Sequence, residues 1–250
     1  MTTGRATGWP HRERDRDPIR VQRLRAHPGT RRLHPGDPGG ARRCPGRPQR
    51  CKTTLLHLVV GLTAPTAGSI TVLGGALPGS NDALQRIGFV AQDTPLYKNL
   101  SVADTLRLVA NLSPTWDEAH ARAHLASLEI PLDRKVGHLS GGQQAQVSLA
   151  VALARHPELL VLDEPLARLD PLARHDFMAV LMAAVAEEGI SVLFSSHVLA
   201  ELERVCDYLV VLNHGRVQVA GDVEDLLDSH RILTGPTAEA AGVAASLLLV

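Results

Sequence analysis

The chain has 250 residues, of which 44% are apolar and only 3% aromatic, and its formal net charge is zero. That suffices for a globular core built mostly from Leu, Val and Ala, and it gives no overall pull towards nucleic acid or an anionic surface. No stretch approaches the roughly 20 continuous apolar residues of a membrane helix. The start lacks the apolar middle of a secretory signal. Cys44, Cys51 and Cys206 make neither a disulfide framework nor a metal site, so a reducing, cytoplasmic setting is expected.

Residues 1–51 differ in texture from the rest. They are rich in Arg, Pro and Gly and carry almost no apolar periodicity, which reads as a disordered basic segment. From Lys52 the pattern becomes regular. Thr53 to Leu62 reads as a helix ending near Gly61, Ala64 to Gly68 as a turn, and Ser69 to Leu73 as a strand. Ile87 to Val90 reads as a second short strand, followed by Gln92. Ser101 to about Leu112 is helical. Ser113-Pro114 is expected to start another helix, with Ser113 as its cap and Asp117-Glu118 near its positive end, running to Ile130.

Leu139-Ser140-Gly141-Gly142-Gln143 opens a helix in which Val147, Val151 and Ala154 recur at helical spacing, stopped by His156-Pro157. Glycines without Cβ atoms let a ligand approach the backbone, and the first turn of a helix offers unpaired N–H groups and a positive dipole end. Ser140 adds a hydroxyl that can also serve only as a cap. Leu159 to Leu162 is an unbroken apolar run, expected of a parallel strand buried on both faces, and it ends in Asp163-Glu164. Pro171 opens a helix with Leu172, Phe177, Val180, Leu181 and Ala184 on its apolar side and Gly189 beyond its end. Ser191 to Ser195 is the next buried strand, with His197 just past it. Tyr208 to Leu212 and Arg216 to Ala220 form a hairpin around Asn213-His214-Gly215, and Asp222 to Ser229 is a short helix. Cys206 reads as a small core residue. Alternating strands and helices imply a parallel sheet with ligands at the carboxyl ends of its strands, where acids, a histidine and phosphate-directed backbone meet in one crevice.

These residues, from Lys52 to about Gly221, resemble the nucleotide-binding subunit of an ABC transporter. Leu139 to Gln143 is similar to the family signature, and Leu159 to Glu164 to a Walker B strand with its catalytic glutamate. Leu166 to Asp170 resembles the D-loop, with Arg168 in place of a small residue. Gln92 resembles the Q-loop glutamine, His197 the switch histidine, and Lys52-Thr53-Thr54 the end of a Walker A loop. The resemblance implies a P-loop NTPase (RecA-like) α/β fold. An α-helical subdomain is inserted at about 95–145, and the N-terminal antiparallel β part is incomplete. It implies an ABC ATPase domain over 52–221 and a C-terminal extension over 222–250.

The resemblance also implies roles. ATP and Mg²⁺ are the expected cofactors. Lys52, Thr53, Thr54, Ser140, Gly141, Gly142, Gln143 and Asp170 bind nucleotide, and Thr53, Gln92 and Asp163 hold the metal. Glu164 is the general base, with His197 and Gln92 completing the catalytic set. The expected partners are a second ATPase subunit, head to tail, so that one copy's signature meets the other's ATP, and a separate transmembrane permease. No nucleic acid is expected. The location is the cytoplasmic face of the membrane, and the segment near Gln92 favours an exporter. The alternatives are a catalytically impaired cassette, or a soluble ATPase of this type acting on nucleic acid or ribosomes.

The phosphate loop departs from the family. Gly46 to Thr53 keeps the first glycine, the lysine and the threonine, but Cys51 stands where G-x-x-x-x-G-K-[ST] needs a glycine. A Cβ there is expected to collide with the tight turn of the loop. The strand before the loop and the aromatic that stacks on adenine are missing from the pattern. One reading is that residues before Lys52 are out of frame. If Arg47 to Cys51 are encoded CGG-CCC-CAA-CGG-TGC, a shift of one nucleotide yields Gly-Pro-Asn-Gly, and a loss of ~4 nucleotides before Lys52 restores the frame. Different codons at Pro48 or Gln49 would rule this out.

Overall fold

The computed structural model describes residues 49–198, 202, 205–213 and 215–229, with side chains from Cys51 onward. The Arg-rich segment, Cys44, His214 and the last twenty residues lie outside the described residues.

Three strands form a parallel sheet in the order β1 (Ile87–Val90), β2 (Leu159–Asp163), β3 (Ser191–Ser195). Ile87 pairs with Leu159, and Leu159 with Ser191, so the strands are aligned at their starts. All five residues of β2 are buried, as its apolar run requires. Its side chains alternate between two cores, following the period of two. Leu160 and Leu162 pack with α5 (Gly141–Leu153) and α6 (Pro171–Glu188), through Leu149, Leu153, Phe177 and Leu181. Leu159 and Val161 face the other way, onto Leu56 and Val60 from and just after α1 (Gln49–Val59). The result is a layer of helix on each face of the sheet.

A third core joins α3 (Val102–Leu112) and α4 (Glu118–Ser127) to the outer side of α5, through Val102, Leu106, Leu125, Val147 and Ala150. α5 is therefore buried nearly all round. A short helix α2 (Asn81–Arg86), capped by Ser80, leads into β1. The contacts divide the chain after His197. The second unit contains an antiparallel hairpin, β4 (Tyr208–Asn213) with β5 (Arg216–Asp222), and α7 (Val223–Ser229). Cys206 is half-buried there, not in a core, and burial with Asp207 beside it raises its thiol pKa.

Several expected elements differ. Ser69 to Leu73 is not a strand: it makes one bridge, Val72 to Ala76, across a turn in which Leu73 takes φ 50° and Gly74 φ 78°. Among the described residues no strand lies beside it, so its β-branched residues have no ladder to join. α4 starts at Glu118, because Asp117 and not Ser113 supplies the cap: Asp117 Oδ1 accepts from His120 N at 2.8 Å. Ser113 instead follows the end of α3. Leu172, placed on the buried side of α6, is 71% exposed. β3 is only half-buried along Ser191 to Phe194, since among the described residues it is an edge of the sheet. α1 starts four residues earlier than the pattern suggested and ends at Val59; Gly61, at φ 78°, sits where a Cβ would meet the Gly79 backbone at 2.2 Å.

Candidate functional site

The carboxyl ends of β2 and β3 bring two acids beside a histidine. Asp163, the last residue of β2, is 1% exposed. Its Oδ1 accepts from Ser195 Oγ at 2.8 Å, and that hydroxyl in turn accepts from Glu164 N at 2.9 Å. Glu164 N also donates to Ser195 O at 3.2 Å. These bonds hold Glu164 at φ 45°, a left-handed conformation that costs a non-glycine residue about 1–3 kcal/mol and recurs at functional sites. The turn places the Glu164 side chain just beyond the carboxyl end of β2.

There it meets two partners. Lys52 Nζ donates to Glu164 Oε1 at 3.0 Å and to Ser196 O at 2.7 Å. His197 Nδ1 lies 3.1 Å from Glu164 Oε2. Lys52 reaches this point because α1 packs Leu56 and Val60 beneath β2 and so points its first turn at the strand ends. The pair is mostly out of water, with Glu164 8% and Lys52 23% exposed. Thr53 is half-buried beside Lys52, Thr54 is exposed, and Gln92 lies exposed on the bend after β1 without a bond to this cluster among the described residues.

Cys51 is half-buried in the first turn of α1. It lies inside α1, and it is absent from the residues with positive φ, so its Cβ occupies an ordinary helical position. Among the described residues no tight turn is formed at Cys51: α1 runs through it from Gln49.

A second group gathers at the start of α5. Ser140 and Gln143 form a reciprocal capping box: Ser140 Oγ accepts from Gln143 N at 3.2 Å, and Gln143 Oε1 accepts from Ser140 N at 3.1 Å. The amides of Gly141 and Gly142 stand outside that box. A Cβ on Gly142 would sit 2.7 Å from Ala173 Cβ, so this glycine lets the first turns of α5 and α6 touch. Nothing in the sequence pattern marked that packing role. Asp170 caps α6, its Oδ1 accepting from Ala173 N at 3.0 Å. Ser140, Gly142, Gln143, Asp170 and Asp176 line a shallow hollow of about 170 Å³. The single crevice expected from the sequence is thus two groups: Lys52, Asp163, Glu164 and His197 in one, and Ser140 to Gln143 with Asp170 in the other. No hydrogen bond among the described residues joins them.

A lysine from a helix start, facing two acids at the end of the central strand of a parallel sheet, defines an α/β protein of the P-loop NTPase class. A family profile described as "ABC transporter" matches residues 50–167. The chain is 39% identical over 184 residues to a Nod factor export ATP-binding protein I of Cupriavidus pinatubonensis, covering 71% of this chain and 56% of that one. It is 31% identical over 224 residues to a molybdenum import ATP-binding protein ModC of Paramagnetospirillum magneticum, covering 85% and 59%. Among solved structures, an ATP-binding subunit of an ABC transporter superposes with a TM-score of 0.61 at 30% identity, covering 71% of this chain and 76% of that one. The cbiO1 protein of Clostridium perfringens, part of the cbiONQ transporter complex, gives 0.61 at 26% identity, covering 74% and 77%. The chain belongs to the ABC transporter ATP-binding family, and it spans less than two thirds of the length of the curated relatives it matches.

Proposed function

We propose that the chain is an ATP-hydrolysing subunit that drives export through a separate transmembrane permease, from the cytoplasmic face of the membrane. The observation that carries this reading is the Lys52–Glu164–His197 cluster beside buried Asp163. The residues fit a Mg²⁺–triphosphate: a buried carboxylate, the Thr53 hydroxyl and the Gln92 carbonyl are hard oxygen donors of the kind Mg²⁺ takes. Bound there, Mg²⁺ supplies charge neutralisation on the phosphates.

Each side chain then has a task. Lys52 is the phosphate-binding cation; it must leave Glu164 and Ser196 O to act. Released from Lys52, Glu164 Oε1 is free to take a proton from water. His197 holds the other oxygen and keeps the carboxylate aimed. Gln92 senses the bound state from the bend after β1. Ser140, Gly141, Gly142, Gln143 and Asp170, grouped away from Lys52, serve the nucleotide of a second copy placed head to tail. The ATPase domain is taken as 52–221, with its helical part at about 95–145. Export follows the name of the more similar curated relatives, although ModC is named for import. No helix among the described residues is long and apolar enough to cross a membrane, so the permease is a second polypeptide in this reading.

Two measurements test it. The purified chain should release phosphate from Mg²⁺–ATP, and Glu164→Gln should abolish release while trapping an ATP-dependent dimer. Absence of both in the chain as it stands would favour the second reading, an impaired cassette, for which Cys51 in a continuous helix is the specific observation.

A further inference from the structure

The loop between Glu164 and α6 carries a cation on a rigid base. Ala167 N donates to Glu164 O at 3.1 Å, and Leu169 N to Leu166 O at 3.2 Å. Leu166 and Leu169 are buried in the main core, and Arg174 Nε donates to Leu169 O at 2.9 Å. Arg168 stands between these anchors and points its guanidinium outward. Arg168 Nη2 lies 2.7 Å from Asp93 Oδ1, with the two side chains 70% and 74% exposed. An ion pair so open to water is weak and is released at little cost.

Arg168 also lies beside the signature. Its carbonyl oxygen is 3.7 Å from where a Cβ on Gly141 would be, and the first turn of α5 touches that of α6 at Gly142 and Ala173. The positive ends of helices of 13 and 18 residues therefore meet beside the Arg168 backbone, within reach of its long side chain once that leaves Asp93. Asp170, the nearest acid in the loop, is committed to capping α6.

We propose that Arg168 is a phosphate-contacting residue for the nucleotide held by a second copy of the chain. The inference rests on the head-to-tail reading above. In the single chain the guanidinium rests on Asp93. Facing a triphosphate, it exchanges the carboxylate for phosphate oxygens, which its planar fork can grip in a bidentate manner. Asp93 is then a competitor for Arg168, and the exchange frees the segment next to Gln92.

The experiment measures the Mg²⁺–ATP concentration that half-dimerises the Glu164→Gln chain by gel filtration, at fixed protein and salt. Adding Arg168→Ala should raise that concentration about 10- to 100-fold, the scale of a charge-assisted hydrogen bond. Arg168→Lys should fall between. Asp93→Asn should lower it a few-fold, because the competitor is gone. If Arg168→Ala and Asp93→Asn both raise it, the pair is only a structural tie and the inference is overturned. No response to Arg168→Ala overturns it equally. Failure of the Glu164→Gln parent to dimerise at saturating Mg²⁺–ATP removes the head-to-tail reading itself, and this inference with it.

Discussion

Lys52 Nζ stands 3.0 Å from Glu164 Oε1, although 112 positions separate the two residues in the chain. The pair opposes the ends of the proposed reaction: one group binds phosphate and the other takes a proton from water. Substituting each end should therefore give different kinetics. Lys52→Met should weaken Mg²⁺–ATP binding by about 10- to 100-fold, the loss of a hydrogen bond to a charged group. His197→Ala, which removes the ring beside Glu164 Oε2, should leave binding within a few-fold and slow turnover by about 10²–10⁴. Titration with a fluorescent ATP analogue and phosphate-release kinetics separate the two. A His197→Ala variant as weak in binding as Lys52→Met would contradict these assignments.

Ser195 is the hidden support of the acids. Its hydroxyl is buried, donates to Asp163 Oδ1 and accepts from Glu164 N. Ser195→Ala strips a partner from a buried carboxylate and loosens the left-handed turn at Glu164. The expected loss is about 1–3 kcal/mol of stability, read as a melting temperature lower by roughly 2–10 °C for a chain of this size. Phosphate release should fall with it while the melting curve stays cooperative. Ser195→Thr, which keeps the hydroxyl, should recover part of both.

The residues that could be read from the sequence were those whose chemistry is local. Leu159 to Asp163 had to be a buried strand, Ser140 had to cap a helix and Gly189 had to end one, because apolar runs, hydroxyls and αL glycines act over a few positions. What escaped depended on distant neighbours. Ser69 to Leu73 has strand residues but no ladder among the described residues. β3 has a strand's apolar content but is an edge among the described residues, and Leu172 is 71% exposed although its neighbour Ala173 packs on the core. Ser195 was visible only as a strand residue; its double role needs the register Asp163 to Ser195, which no local pattern specifies. Cys51 meets a helix where a tight turn was expected, because α1 begins before it.

His124 gives the helical layer a pH dependence. It is half-buried between α4 and α5, where its Nε2 lies 3.3 Å from Gln146 Oε1, and burial pushes its pKa below the ordinary 6.5. In the unfolded chain the imidazole takes a proton near its ordinary value, while in the fold it stays neutral to lower pH. Folding therefore excludes a proton, and stability is full above about pH 6.5 and falls as pH drops towards the folded value. One proton limits the slope to about 1.4 kcal/mol per pH unit, or roughly 2–6 °C in melting temperature. Thermal melts from pH 7.5 to 5.5 should show this decline, and His124→Gln should flatten it. An equal decline in the variant would assign the effect to other groups.

Gly142 separates packing from ligand binding at the signature. A Cβ there would sit 2.7 Å from Ala173 Cβ, closer than real Cβ contacts allow, and both atoms belong to first turns of packed helices. Overpacking typically costs about 1–3 kcal/mol, against about 1 kcal/mol regained when alanine replaces glycine in a helix. Gly142→Ala should therefore lose about 1 kcal/mol net, a fall of roughly 2–6 °C. Ala173→Gly in the same chain removes the colliding methyl. The double variant should then be more stable than the sum of the single losses by at least about 0.5 kcal/mol. Nucleotide-driven pairing gives the other half of the test. The methyl at 142 still blocks close approach of a phosphate to the backbone, so the double variant should regain its melting temperature without regaining ATP-dependent dimerisation in the Glu164→Gln background. Recovery of both together would mean that Gly142 serves the α5–α6 contact and not the ligand.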